Sequence, residues 1–433
     1  MTEAFELTVT EGLRAMEAGE LTAEAWVASC LERIRDREQT VLAWEYLDGD
    51  GALARARELD RAGGGGLATG VPFGAKDIID TADMPTAYGS PIHQGHRPGR
   101  DAGCVAITRA AGAVLLGKTV TTEFGHRYPG KTRNPVNPAH TPGGSSSGSV
   151  AAVGDKMIPL AYGTQTTGSV IRPAAFCGTV GYKPTYGDFN NNGVMPNSPT
   201  IDTLGAIVRS VEDLALVRSV LLEEPLAALK PPAMGDLNIG FYRSPFWDRA
   251  EGYTQSYLED AAKRLSGLGA KVTDLELPGI DAGFERLFRV ISGFEFSRTV
   301  SWERFNRLGE LSADLRDGRM KEGMETAYED YRKGTRRLER LRLEIDDVLD
   351  EYDVLITPSA PGEAPEGLRR TGNAIFNSIW TALGTPAVTL PVSKGPSGLP
   401  VGLQLIAGRF KDRRLFDIAE AVMKALPSSR TVS

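Results

Sequence analysis

Two serine clusters on either side of one short apolar segment constrain this chain more than any other feature. They lie within residues 142–178, which read PGGSSSGSVAAVGDKMIPLAYGTQTTGSVIRPAAFCG, and they contain Ser145 and Ser169. Glycines flank both clusters, so the backbone can approach a ligand closely there. The pattern predicts a turn at 143–148, a helix at 149–153, a strand at 157–162 and a second turn at 163–169. Both clusters are therefore expected at the ends of regular elements, where functional residues concentrate.

Apolar strand-like runs alternate with amphipathic segments along the rest of the chain. This alternation predicts an α/β protein with a central mixed, twisted sheet that helices cover on both faces. A strand–helix–strand unit is expected at 237–277, and a charged helical segment at 284–350. We expect one domain over residues 1–433, with its core at about 60–220 and 350–425 and a variable region at about 220–350.

The charge balance argues against a nucleic-acid partner. The 433 residues carry 49 basic and 56 acidic side chains, a net charge of −7, and no basic cluster of the kind that binds phosphate backbones. No apolar run approaches the roughly 20 residues of a membrane-spanning helix, and the N-terminal segment lacks the pattern of a secretory signal. A protein of the cytoplasm that acts on a small molecule, without membrane or nucleic-acid partners, is expected.

The cysteines support neither a disulfide framework nor a zinc site. Cys30, Cys104 and Cys177 are widely spaced and form no CxxC pair, so reduced thiols are expected. Cys177 is interpreted as a small core residue. His93 and His96 lie between Pro91 and Gly95 in a segment unsuited to a metal-binding helix, and no metal is predicted.

Ser169 needs a base if it is to act as a nucleophile, because a serine hydroxyl is not ionised at neutral pH. The chain offers only four histidines, all of them upstream, and their order leaves a Ser-His-Asp triad open. No GxSxG elbow surrounds Ser169. Lys76 in GVPFGAKD is the other candidate, because burial disfavours the charged form of a lysine and lowers its pKa. The histidines are His93, His96, His126 and His140.

Several motifs together resemble those of the amidase signature family. They are GVPFGAKD, then GGSSSGS, then GTQTTGSVIRPAAFCGTVGYKP, followed near the end by DVLITPSAP, NSIWTALGTPAVTLPV and GLPVGLQLIAGR. They occur in the family's order and at its spacing, and the likeness covers most of the chain outside residues 220–350. The resemblance implies the amidase signature fold and hydrolysis of a linear amide C–N bond without metal or organic cofactor.

The resemblance also assigns roles to individual residues. The family's nucleophile falls on Ser169, its bridging serine with a cis peptide bond falls on Ser145, and its lysine falls on Lys76. The backbone N–H groups of residues 166–169 would form the oxyanion hole, and Ser146 would support the triad. Gly143 and Gly144 would allow the close backbone approach. The four oxyanion residues are Thr166, Thr167, Gly168 and Ser169.

The segment before the nucleophile departs from the family's commoner D-x-G-G-S pattern. Gln165 stands in place of the acid and Thr167 in place of a glycine, so selectivity is expected to differ at this turn. The sequence is nearest to the malonamidase-like branch, in which an arginine three residues after the nucleophile holds a substrate carboxylate. That position is Arg172, which is equally suited to a structural role. Other pocket candidates are Tyr128, Asn134 and Trp380.

Three functional alternatives remain beside a small-molecule amidase. The first is a carbamate or urea-derivative hydrolase, since such substrates present the same electrophile. The second is the glutaminase-like subunit of a tRNA-dependent amidotransferase, against which the shorter chain and the QTTGS segment argue. The third is a binding protein without activity, which the presence of all three relay residues disfavours. The sequence also leaves a homodimer open.

Overall fold

The computed structural model describes residues 3–426, and their strands form one sheet. The strand order is β1-β3-β2-β4-β6-β5-β10-β11-β9-β7-β8. The strands are β1 Trp44–Leu47, β2 Pro72–Lys76, β3 Val114–Thr119, β4 Leu160–Gln165, β5 Val180–Lys183, β6 Thr203–Val208, β7 Asn238–Phe241, β8 Lys271–Asp274, β9 Val354–Pro358, β10 Ala387–Lys394 and β11 Pro400–Ile406.

The sheet is mixed, as the sequence predicts. At one edge β1 pairs in antiparallel fashion with β3, and β3, β2 and β4 run parallel to each other. At the other edge β9, β7 and β8 run parallel. Between them β6, β5, β10 and β11 pair in antiparallel fashion. The strand–helix–strand unit expected at 237–277 is confirmed, and its β8 forms the outer edge of the sheet.

Helices cover both faces of the sheet. They are α1 Val9–Glu17, α2 Ala23–Val41, α3 Gly49–Ala62, α4 Gly103–Ala110, α5 Ser147–Gly154, α6 Ile171–Cys177, α7 Val211–Leu221, α8 Gly252–Gly267, α9 Phe284–Thr299, α10 Ser301–Asn306, α11 Lys321–Glu325, α12 Tyr328–Asp350, α13 Ser378–Leu383 and α14 Asp412–Ala425. Neighbouring residues of β5 show the two layers, because successive side chains of a strand point to opposite faces. A Cβ built on Gly181 would lie 2.6 Å from Ala174 of α6, whereas the ring of Tyr182 packs edge-on against Phe416 of α14.

The serine-rich segment differs from its prediction in two respects. Helix α5 begins at Ser147, two residues earlier than the predicted helix, and takes in the end of the predicted turn. Strand β4 begins at Leu160, three residues later than expected, and includes residues 163–165. Pro159 directly precedes it and has no N–H to give to the sheet, which accounts for the later start. The turn before Ser169 is therefore shortened to residues 166–169.

The segment at 284–350 is helical, as expected, in α9 to α12 with a π-helical turn at Leu315–Met320. Leu338, Leu341, Ile345 and Leu349 lie buried along one side of α12. Within residues 3–426, none of the helices combines the length and the apolar character needed to span a bilayer.

Candidate active site

Three chain segments meet at the carboxyl ends of the parallel strands β2 and β4. Lys76 is the last residue of β2, Ser145 lies just before α5, and Ser169 lies between β4 and α6. Strands β2 and β4 are hydrogen-bonded neighbours, so their ends lie at the same edge of the sheet. Ligands of α/β proteins commonly bind at such an edge, beyond the carboxyl ends of the strands.

Lys76 is fully buried, and its amine is held between two hydroxyl groups. Its Nζ donates hydrogen bonds to Ser145 Oγ at 2.6 Å and to Thr164 Oγ1 at 2.7 Å. Burial lowers the pKa of Lys76 to about 7, although the charge of Asp202 opposes the shift. A substantial fraction of Lys76 is therefore neutral near pH 7 and can accept a proton.

The backbone around Ser145 has the geometry that the resemblance implies. The Gly144–Ser145 peptide bond is cis, and Gly143 adopts a φ of +85°. A Cβ built on Gly143 would lie 2.8 Å from Pro173 Cα, so a side chain at this position would be both strained and crowded. The adjacent Ser146 accepts a hydrogen bond from Thr164 N at 3.2 Å and donates one to Thr164 O at 3.3 Å, which ties the segment to β4.

Ser169 lies beside this segment with an accessible hydroxyl. The N–H of Ser146 donates to Ser169 O at 3.4 Å, and Ser169 is 9% exposed. Among residues 3–426, no side chain or backbone group forms a hydrogen bond with Ser169 Oγ. Within the same range, the backbone N–H groups of residues 166–169 also have no acceptor. Such a run of unpaired N–H groups can bind an oxygen that carries developing negative charge.

Arg172 contacts the cis peptide rather than open space. Its Nη2 donates to Gly144 O and, at 3.3 Å, to Thr371 Oγ1. Arg172 is 6% exposed, and burial lowers its pKa to about 9, with a further contribution from Arg127. These contacts hold the carbonyl just before Ser145 in place, which fits the structural role for Arg172.

Comparisons with known proteins agree with this geometry. The family model described as Amidase matches residues 25–416. The chain belongs to the amidase family. It is accordingly an enzyme that hydrolyses carbon–nitrogen bonds, and its fold is the amidase signature fold expected from the motifs.

Individual relatives extend the match over nearly the whole length of this amidase. A glutamyl-tRNA(Gln) amidotransferase subunit of Chloroflexus aurantiacus is 32% identical, with 98% of this chain and 97% of that protein covered. The peptide amidase of Stenotrophomonas maltophilia shares 30% identity at a TM-score of 0.83, with 99% of this chain and 98% of that chain covered. A fatty acid amide hydrolase shows the same fold, with a TM-score of 0.89 at 22% identity. That match covers 98% of this chain and 86% of the hydrolase chain.

Chain length stays an argument against the amidotransferase class, as expected from the sequence. The match to the Chloroflexus aurantiacus subunit extends over 477 positions, whereas this chain has 433 residues, so some of those positions are gaps in this chain.

The histidines of this amidase have other surroundings. His93 Nε2 lies 2.8 Å from Glu303 Oε1, and His140 Nδ1 lies 2.7 Å from Ala364 O. The ring of His126 stacks on Phe296. None of these contacts involves Ser169, so the structure gives no support to the Ser-His-Asp arrangement that the sequence left open. Cys177 is buried, and its Sγ contacts Pro142 O at 3.4 Å, as befits a core residue.

Two of the three further pocket candidates have clear structural contacts. Asn134 is buried and donates to Thr141 O and Phe176 O, which organises the loop before Gly143. Trp380 is 1% exposed and packs edge-on against Tyr242 in an apolar cluster. Tyr128 is half-exposed.

The role of Gln165 was not predicted from the sequence. Its Oε1 accepts hydrogen bonds from Val170 N at 2.9 Å and Ile171 N at 3.0 Å, and its Nε2 donates to Thr381 Oγ1 at 2.9 Å. The amide thus satisfies two N–H groups at the start of α6, which would otherwise be buried without partners. Because the same side chain spans residues 166–169, it holds the turn in shape.

Asp202 was also missed, although it acts on both the turn and the lysine. Its carboxylate accepts hydrogen bonds from Thr166 Oγ1 at 2.6 Å, Asn197 N at 2.6 Å and Ser198 N at 2.7 Å. Burial raises the pKa of Asp202, and these hydrogen bonds oppose that shift. Asp202 comes just before β6, and nothing in its local sequence marks it as part of the site.

Proposed function

We propose that this amidase cleaves a linear amide C–N bond of a small molecule, with Ser169 as nucleophile and Ser145 and Lys76 as a proton relay. The observation that carries the proposal is the fully buried Lys76 amine, 2.6 Å from Ser145 Oγ and with a pKa lowered to about 7. A lysine in this state is a base poised near the operating pH, where general base catalysis is most efficient.

The relay forms an acyl-enzyme in which the acyl group is bound to Ser169 Oγ. Ser169 Oγ attacks the carbonyl carbon while its proton passes to Ser145 Oγ, and the proton of Ser145 passes to Lys76 Nζ. The same path returns a proton to the departing nitrogen as the C–N bond breaks. Water then attacks the ester at Ser169, which releases a carboxylic acid and restores the serine. The relay uses only side chains of this chain and water.

The turn at 166–169 would stabilise the tetrahedral intermediate. Its unpaired N–H groups lie next to the Ser169 hydroxyl, where the substrate oxygen becomes negative during attack. Removing a single donor from such a site typically costs about 3–4 kcal/mol of transition-state stabilisation. The contacts of Gln165 and Asp202 support this part of the proposal, because they hold both ends of the turn.

Replacement of Ser169 with alanine tests the nucleophile. Ser147→Ala is a matched control from the same serine-rich run, since Ser147 Oγ donates only to Val120 O at 3.2 Å. We expect Ser169→Ala to lose at least about 10³-fold in kcat on amides, while Ser147→Ala keeps activity in proportion to its folded fraction. Near wild-type turnover by Ser169→Ala would refute the assignment. A carbamate in the same panel would show whether that substrate class is accepted.

A second candidate function is that of a glutaminase-like subunit in a larger amidotransferase. The specific observation in its favour is the 32% identity to the Chloroflexus aurantiacus subunit over nearly the whole of both chains. The two functions differ in what the purified chain does alone. Turnover of small amides without ATP or other subunits favours the free-standing amidase. Negligible turnover alone, restored by amidotransferase partner subunits, favours the second function.

A further inference from the structure

Arg319 is a buried arginine without a partner in the described part of the chain. It lies in the π-helical turn Leu315–Met320 and is 9% exposed, and its Nε and Nη2 are buried without a hydrogen-bond partner among residues 3–426. In that range no carboxylate lies within ion-pair distance of it, and its guanidinium lies 5.8 Å from the ring centre of Phe288. A buried guanidinium without a partner is costly, so such groups normally bind an anion.

A single loop connects Arg319 with the proposed relay. A Cβ built on Gly125 would lie 3.7 Å from Ser145 Oγ and 3.9 Å from Lys76 Nζ. The preceding Phe124 packs in one apolar cluster with Phe296, Leu315 and Met320. The π-helical turn that carries Arg319 therefore covers the loop that borders the relay.

The ring of His126, the next residue of the loop, has unused hydrogen-bonding capacity. It stacks on Phe296 at 5.1 Å, and both ring nitrogens are buried without a partner among the described residues. Burial lowers the pKa of His126 well below its ordinary value, and the charges of Arg319 and Arg127 lower it further. His126 is thus a neutral hydrogen-bonding group beside two positive charges.

The carboxylates that act on Arg319 have other partners. Burial lowers the pKa of Arg319 to about 10, and the neighbouring charge of Arg127 lowers it further, while Glu322 and Asp202 oppose the shift. Glu322 forms an ion pair with Arg289, and Asp202 is hydrogen-bonded to Thr166 and to two backbone N–H groups. Neither carboxylate therefore forms an ion pair with Arg319.

We propose that Arg319, with His126, forms a subsite that binds a carboxylate of the substrate. This inference rests on the proposed function and specifies its substrate class: amides that carry a free carboxylate, such as monoamides of dicarboxylic acids. A guanidinium with free N–H groups suits a carboxylate, because it can donate two parallel hydrogen bonds. Arg172 is less suited to this role: its Nε also lacks a partner among residues 3–426, but its Nη2 already donates to Gly144 O and Thr371 Oγ1.

Paired substrates test the subsite. Hydrolysis of succinamate and of its neutral methyl ester is compared in wild type, Arg319→Met, Arg319→Lys and Arg289→Met. Arg289 is the matched control, because it lies nearby and pairs with Glu322 on the surface. We expect Arg319→Met to lose at least about tenfold in kcat/KM on succinamate, which corresponds to the loss of one charged hydrogen-bonded contact. Its kcat/KM on the methyl ester should change by less than about twofold. Arg319→Lys should recover part of the loss, and Arg289→Met should resemble wild type.

Equal losses on both substrates, or no loss on succinamate, would overturn the subsite. Cleavage of the amide bond of the methyl ester by Arg319→Met, measured as ammonia release, would at the same time uphold the proposed function. The two claims therefore fail separately. If wild type hydrolyses neither substrate, binding decides the matter. Succinate should then raise the Tm of wild type and of Arg289→Met more than neutral succinamide does, but not that of Arg319→Met. No rise in wild type, or the same rise in Arg319→Met, would reject the subsite.

Discussion

The amine nitrogen of Lys76 lies 2.6 Å from the hydroxyl oxygen of Ser145, in a part of the fold where the lysine has no exposure to solvent. In the proposed relay this contact is the step between the two residues. Burial lowers the pKa of the lysine to about 7, and the short hydrogen bond gives the proton of Ser145 a direct path to the neutral amine. The contacts of Ser146 with Thr164 hold the neighbouring backbone against β4.

The activity should rise with pH through about 7. Lys76 accepts a proton only in its neutral form, and its pKa is lowered to about 7, so kcat/KM should be half-maximal there and level above it. Lys76→Met, of similar length and without charge, should lose about 10³-fold at every pH while remaining folded. A flat profile from pH 6 to 8, or Lys76→Met activity within tenfold of wild type, would contradict the role of the lysine as base.

Asp202→Asn should move this profile to lower pH. The charge of Asp202 favours protonated Lys76, so its removal lowers the pKa of the lysine further. The asparagine keeps the shape of the side chain, and its oxygen can still accept from Asn197 N and Ser198 N. The measured quantity is the pH at which kcat/KM is half-maximal, not the maximal value of kcat/KM. A shift to higher pH would show that the electrostatic contribution of Asp202 has the opposite sign.

Gln165→Leu should destabilise the protein and slow catalysis. Leucine has a similar volume but leaves Val170 N and Ile171 N buried without acceptors, which should lower the free energy of unfolding by about 2 kcal/mol or more. Urea denaturation measures this loss. Since the same side chain holds the turn at 166–169, which is proposed to bind the substrate oxygen, kcat of the folded variant should also fall. Stability and kcat both within experimental error of wild type would show that the contacts of Gln165 are dispensable.

Arg172→Met should affect substrates with and without a carboxylate equally. The guanidinium holds the carbonyl of Gly144, so its loss displaces Ser145 whatever the substrate is. We expect kcat to fall about tenfold or more on succinamate and on its methyl ester alike. A loss confined to succinamate would instead assign carboxylate binding to Arg172, as in the malonamidase-like branch.

The residues predicted from sequence are those with distinctive local signatures. Lys76, Ser145 and Ser169 lie in glycine-bearing motifs, and the structure brings their segments together at one edge of the sheet. The mixed sheet could be predicted from the alternation of apolar and amphipathic segments, although β4 starts later than expected because of Pro159.

Asp202 and Gln165 were missed because their contacts are distant in sequence, and Asp202 reaches Thr166 from the far end of a loop. Arg319, whose role is proposed, is one of many charged residues in a segment whose pattern indicates only a solvated helix. Gln165 offered a partial signal, because a polar side chain just before a helix can accept from its first N–H groups. Its partner Thr381 lies on α13 and could not have been inferred from sequence.

Labelling with a fluorophosphonate tests most directly the claim that Lys76 and Ser145 activate Ser169. The reagent forms a bond between phosphorus and an activated serine oxygen, and fluoride departs. Peptide mapping by mass spectrometry should find one adduct per chain, on Ser169. The adduct should be absent in Ser169→Ala, much slower to form in Lys76→Met, and unchanged in rate in Ser147→Ala. An adduct on another serine, or labelling of Ser169→Ala at the wild-type rate, would contradict the account.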